Sequence, residues 1–219
     1  MSVDAVVFDL DGVLVDSEPV WEAVRRDFVS EHGGTWRPDS QQRLMGMSTP
    51  EWAGYLVTDL GVAGMSAQEV AAGVVERMAD RYRMAVPMLP GAAAATRLLA
   101  GRWPLGLASS SPRRLIDVVL DRAGLAGLFA AIVSTEELAR GKPAPDVYLE
   151  VTALLGLDAR RCVAIEDSTN GIRAACAAGL GVVAVPRAAY PPDADALACA
   201  DIVLDSLEAL TLEMVEKLA

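Results

Sequence analysis

Val3-Asp4-Ala5-Val6-Val7-Phe8-Asp9-Leu10-Asp11-Gly12 is the stretch on which the fold turns. Val3 to Phe8 is a mostly apolar run of strand length, followed by two aspartates two residues apart. Alternation along an extended chain points Asp9 and Asp11 to the same side. Gly12 lets the backbone turn sharply directly after them. In open α/β sheets, ligand sites form at the carboxyl ends of the strands. An isolated Asp-x-Asp is an ordinary strand-to-loop exit, so the reading depends on the rest of the chain.

Working outward, short apolar runs alternate with helical segments, the pattern of a parallel sheet covered by helices. The runs are Leu105–Ala108, Ala131–Val133, Cys162–Ile165, Gly181–Val185 and Ile202–Leu204. The intervening helices are expected at Gly91–Ala100, Arg113–Ala123, Asp146–Leu155, Gly171–Ala178 and Leu207–Leu218. Gly101, Gly124, Gly156 and Gly179 stand where helices end on glycine. From about Glu18 to Met84 the alternation stops, and three helical segments occur without a convincing strand. Pro50 suits a first helical position, and Ser66 with Glu69 forms a capping box. This block is expected to be a helical cap, residues 16–86, inserted into an α/β core of residues 1–15 and 87–219.

The bulk numbers bound the function. The chain has 219 residues, 53% hydrophobic, with a net charge of −11. That acidity argues against nucleic acid or an anionic membrane as partner. No apolar run is long enough to span a bilayer, and the start of the chain has no basic signal-peptide region. Cys162, Cys176 and Cys199 are an odd number without metal-site spacing, which predicts buried, reduced thiols in a cytoplasmic protein. His32 is the single histidine, so a two-histidine metal site is excluded. Preceding Gly33, it reads as the end of a helix, favourable to the helix dipole.

Three further segments carry chemistry. In Leu107-Ala108-Ser109-Ser110-Ser111-Pro112 a strand ends in hydroxyls where a helix begins, a place suited to phosphate. Ser111 is expected to cap that helix with Pro112 at its first position, leaving Ser109 for a ligand. In Arg140-Gly141-Lys142-Pro143-Ala144-Pro145 one lysine is held in a stiff turn, and a fixed ammonium there neutralises phosphate and an attacking carboxylate. Val163-Ala164-Ile165-Glu166-Asp167-Ser168 is a second strand ending in carboxylates. Clustered carboxylates repel unless a cation joins them, and Mg2+ is held by one or two carboxylates with phosphate and water.

Four such motifs, in this order, resemble the haloacid dehalogenase superfamily in its branch with a helical cap. The likeness extends to bacterial sugar-phosphate phosphatases and β-phosphoglucomutase-like proteins. It implies a Rossmann-like core and a Mg2+-dependent phosphatase acting on a small-molecule phosphate monoester. It also implies roles: Asp9 as nucleophile, Asp11 as general acid and then base, and Ser109, the Ser110 backbone and Lys142 around the phosphate. Asp9, the Asp11 carbonyl and Asp167 would bind Mg2+, with Glu166 supporting that shell. Asp11 separates the chain from true dehalogenases, which lack the second aspartate. A mutase would carry an arginine where Thr49 stands and a histidine where Trp21 stands. Trp21, Met47, Thr49 and Trp52 are candidate specificity positions in the cap, hinged near Val15–Ser17 and Ala85–Met88. A monomer is expected rather than a dimer.

Overall fold

The computed structural model describes residues 2–218. They fall into two compact units, residues 2–16 with 86–218, and Ser17–Ala85.

The larger unit is built on a parallel sheet of β1 (Ala5–Phe8), β2 (Leu105–Ser109), β3 (Phe129–Ser134), β4 (Cys162–Glu166), β5 (Gly181–Ala184) and β6 (Ile202–Val203). Their order is β3-β2-β1-β4-β5-β6, every neighbouring pair parallel. β1, β2 and β4 are buried along their whole length, as strands covered on both faces must be, which explains their continuous apolar runs. β1 lies between β2 and β4, so the chain leaves it in opposite directions across the sheet. Connections on the two sides diverge at such a reversal and leave a crevice at the strands' carboxyl ends. Phe8 is opposite Leu107 on one side and Ile165 on the other, which aligns Asp9 with the ends of both neighbours.

The core helices, numbered after the four of the smaller unit described below, are α5 (Ala92–Ala100), α6 (Arg113–Ala123), α7 (Asp146–Leu155), α8 (Thr169–Ala178), α9 (Ala194–Leu197) and α10 (Leu212–Glu216). One apolar layer joins Val7, Ala108, Val133 and Ala164 of the sheet to Val147, Tyr148 and Val151 of α7 and Ile172 of α8. The helix expected over Leu207–Leu218 is instead a 3-10 turn, Leu207–Ala209, followed by α10. The hydroxyls of Ser206 and Thr211 accept the N–H groups of Glu208 and Met214, so each side chain starts its own turn and Leu210 is extended between them. Cys162 is buried, but Cys176 is half-buried and Cys199 exposed, which corrects the expectation of three buried thiols.

The smaller unit, Ser17–Ala85, is all helical: α1 (Glu18–Glu31), α2 (Ser40–Leu44), α3 (Thr49–Thr58) and α4 (Ala67–Met84). The short α2 has no sequence periodicity to announce it. Capping boxes start both α3, through Ser48 and Glu51, and α4, through Ser66 and Glu69. His32 ends α1, with Nδ1 2.8 Å from the Phe28 carbonyl and its ring stacked on Phe28. Trp21 of α1 and Trp52 of α3 are buried 6.0 Å apart, and the Arg25 guanidinium lies 4.5 Å and 5.0 Å from their ring centroids. Tyr55 is buried beside them in sequence, while Met47 and Thr49 are only partly covered.

Candidate active site

The functional side chains of the larger unit gather at the carboxyl ends of β1, β2 and β4. Asp9 follows β1 directly, Ser109 ends β2, and Glu166 ends β4 with Asp167 next. Lys142 arrives from the turn before α7, across a cis Lys142–Pro143 peptide. Its side chain is 5% exposed, and its three N–H groups have three acceptors: Asp9 Oδ1 at 2.7 Å, the Ala108 carbonyl at 3.0 Å and Glu166 Oε1 at 2.6 Å. An ammonium with three acceptors is a satisfied buried cation. Lys142 is one of two lysines in the chain, Lys217 being the other, and all other basic side chains except His32 are arginine. A compact point charge suits this tripod where a planar fork would not. That scarcity of lysine was a signal in the composition that the motif reading passed over.

Ser109 is fully buried, and its hydroxyl donates to Asp11 Oδ2 at 3.3 Å while accepting the Ser111 N–H at 3.0 Å. Ser110 beside it is exposed. The expected capping by Ser111 is not what forms. Pro112 is itself the N-cap of α6, and the Ser111 carbonyl accepts from the Ser134 hydroxyl at 2.7 Å. The Ser111 N–H is spent on folding the strand end back onto Ser109.

Glu166 is completely buried and fully subscribed. Lys142 and the Tyr148 hydroxyl, at 2.8 Å, donate to Oε1. The N–H groups of Asp167 and Ser168 and the Ser168 hydroxyl donate to Oε2, at 3.0, 3.3 and 3.2 Å. Space for this carboxylate exists because residue 171, in the first turn of α8, is glycine: a Cβ there would overlap the Glu166 carboxylate. Gly12 does the same for Asp167, and its φ of +82° independently favours glycine. Tyr148 and Gly171 were not recognised as site residues from sequence. A tyrosine on the buried face of an aliphatic helix, and a glycine in a helix directly after Glu-Asp-Ser, are the traces they left.

One carboxylate oxygen from each of Asp9, Glu166 and Asp167 lies within 4.8 Å of the others. Burial pushes the Asp9 carboxyl up to about 8, with Lys142 opposing and the Glu166 and Asp11 charges reinforcing. Burial, then Glu166 and Asp9, raise Asp167 as well. The Lys142 ammonium is held in its charged form by Asp9 and Glu166 against its own burial. Three carboxylates facing one ammonium are short of positive charge, and this donor set fits a hard divalent cation. Glu166, its oxygens already taken by five donors, fits the support of that set rather than direct ligation. Asp11 stands outside the trio, its side chain turned to Ser109.

A parallel sheet with this acidic centre at the ends of its middle strands defines an α/β protein whose chemistry lies on strand-end carboxylates. The chain matches the family model described as haloacid dehalogenase-like hydrolase over residues 3–179, and it belongs to that family. It is 37% identical over 214 residues to hexitol phosphatase B of Escherichia coli, covering 94% of each chain. It is 31% identical to a phosphorylated carbohydrates phosphatase of Thermotoga maritima, covering 81% of this chain and 82% of that one. Among solved structures, CbbY from Rhodobacter sphaeroides in complex with phosphate superposes with a TM-score of 0.86, at 24% identity, over 95% of this chain and 96% of that one. No described helix is long and apolar enough to cross a membrane.

Proposed function

We propose that the protein is a Mg2+-dependent phosphatase that hydrolyses a sugar or sugar-alcohol phosphate monoester through an aspartyl-phosphate on Asp9. The observation that carries this reading is the Asp9–Lys142–Glu166–Asp167 cluster, with Asp11 and Ser109 beside it. Lys142 occupies Asp9 Oδ1, which leaves Oδ2 to attack phosphorus. The P–O bond to the sugar breaks, and the leaving oxygen takes a proton from Asp11. Asp11, now a base, accepts a proton from water as that water attacks the aspartyl-phosphate, releasing inorganic phosphate and restoring Asp9. Ser109 holds Asp11 in place and, with the Ser110 backbone, faces the transferred phosphoryl group. Mg2+, held by Asp9, the Asp11 carbonyl and Asp167, would offset the negative charge that gathers there.

The named substrate of the hexitol phosphatase relative supports a polyol or sugar phosphate as the substrate class. Specificity falls to the cap, where Met47, before α3, and Thr49, at its start, keep accessible surface while Trp21 and Trp52 are buried. Small-molecule esters are the partners, and neither nucleic acid nor membrane is needed. The test is phosphate release from hexitol, hexose and glycolate phosphates, nucleotides and β-glucose-1-phosphate, with Mg2+ or chelator, for the wild type and Asp9→Asn. Mg2+-dependent release that disappears in Asp9→Asn is expected. Release that survives in Asp9→Asn overturns the nucleophile assignment, and isomerisation of β-glucose-1-phosphate without release makes the protein a mutase.

A further inference from the structure

Two donors of different kinds share one oxygen in the core. Glu166 Oε1 accepts from Lys142 Nζ at 2.6 Å and from the Tyr148 hydroxyl at 2.8 Å. Tyr148 is fully buried on α7. The same Lys142 ammonium donates to Asp9 Oδ1 at 2.7 Å. Lys142 is therefore suspended between two carboxylates, and its position depends on how strongly each attracts it. A second hydrogen bond to Glu166 Oε1 takes up part of that oxygen's charge and weakens its pull on the ammonium.

We propose that Tyr148 is a positioning residue whose hydroxyl, by sharing Glu166 Oε1 with Lys142, directs the Lys142 ammonium onto Asp9. The proposal rests on Asp9 being the nucleophile of the phosphatase described above. Tyr148 touches neither substrate nor the reacting atoms and acts through Glu166 and Lys142. Without the hydroxyl, Glu166 draws Lys142 toward itself and Asp9 loses part of the positive charge that offsets the negative charge gathering as it attacks phosphorus. The ring has a separate role, since Nζ lies 5.2 Å from its centroid, and Tyr148→Phe keeps that contact while removing only the hydroxyl.

Because the chain has two lysines, the test can watch Lys142 directly. The full chain is labelled with 15N at lysine Nζ and its ammonium resonances are recorded for wild type and Tyr148→Phe, alongside melting curves and steady-state kinetics with Mg2+. The expected result is a shifted, faster-exchanging Lys142 resonance and an unmoved Lys217 resonance. The expected kcat falls about five- to twentyfold while KM stays within about twofold, the signature of an interaction that matters in the transition state. An unmoved Lys142 resonance overturns the proposal, whatever the rate does. A kcat loss that merely tracks a lowered melting temperature, with that resonance unmoved, assigns Tyr148 a structural role. If wild type releases phosphate from no ester, the phosphatase reading fails, and the resonance still decides the Tyr148 proposal.

Discussion

Lys142 in the core and Arg25 in the cap are both buried cations, the first set among carboxylates and the second against two indole faces. Lys142 is held by three oxygen acceptors within 3.0 Å, two of them carboxylates. Arg25 has the faces of two indoles, at 4.5 and 5.0 Å. The oxygen tripod is short-ranged and directional, so a displacement of one ångström breaks it. The attraction of a cation to a ring face is weaker and broader, about 0.5 to 2 kcal/mol, and survives modest repacking. The difference teaches where this molecule can vary. The core cation belongs to a constellation that tolerates no change of shape, whereas the indole pair beside Arg25 is packing that can shift by small amounts without losing its contacts.

The largest expected effects lie in the core. Asp9→Asn removes the proposed nucleophile and should lower kcat by about ten-thousand-fold or more, measured as phosphate release. Lys142→Arg keeps the charge but replaces a tripod of donors with a planar fork, and should cost about a hundredfold or more in kcat. A Lys142→Arg enzyme within threefold of wild type would erase the contrast with Arg25.

Gly171→Ala comes next and sets two effects against each other. Alanine favours a helix interior by about 1 kcal/mol over glycine. Its Cβ would overlap the Glu166 carboxylate, whose five donors cannot follow a displacement. The collision should win, lowering both melting temperature and kcat, the latter by more than tenfold on the order of losing one positioned electrostatic group. A stabilised, fully active Gly171→Ala protein would show that Glu166 has room to move.

Metal removal gives a smaller effect with a definite sign. Burial holds the Asp9 carboxyl up at about 8, whereas an unfolded aspartate titrates near 4, a typical value. Between those pH values the metal-free folded chain binds more protons than the unfolded chain, so its stability falls as pH rises through the window. Bound Mg2+ would relieve the cluster, so the gap in melting temperature between Mg2+ and chelator should widen from pH 5 to pH 8. Asp167→Asn, which deletes one of the crowded charges, should shrink that gap and raise the melting temperature in chelator. A gap independent of pH would mean that the carboxylates are not what the cation stabilises.

The smallest effect belongs to the cap. Arg25→Met should lower stability by about 1 to 2 kcal/mol, the lost ring contacts being part of that cost, read from denaturant unfolding, with kcat changed less than threefold. A hundredfold loss of kcat in Arg25→Met would place Arg25 in the chemistry and abolish the distinction between the two units.

Much of this site was legible in sequence because its parts are local. Asp9, Ser109 and Glu166 with Asp167 each follow an apolar strand, and a strand's end is visible as the point where the apolar run stops. Their convergence was legible too, since parallel strands place all such ends on one side of the sheet. Neighbours alone make Ser111 look like a cap, but its N–H and carbonyl answer to Ser109 and to Ser134 on β3. The broken C-terminal helix failed similarly, with Ser206 and Thr211 competing for backbone N–H groups that periodicity assigns to the helix.

The amino-acid sequence by itself determined the parallel sheet, the inserted helical block, the strand-end carboxylates and the family, because these depend on patterns within a few residues of each other. Only the tertiary structure decided what Glu166 does, that Tyr148 and Gly171 serve it, and that Lys142 spends all three of its N–H groups. Those outcomes depend on contacts between α7, α8 and three strand ends far apart in sequence. In a buried site each carboxylate oxygen accepts only a few donors, and which donors arrive is set by packing, not by any residue's neighbours along the chain.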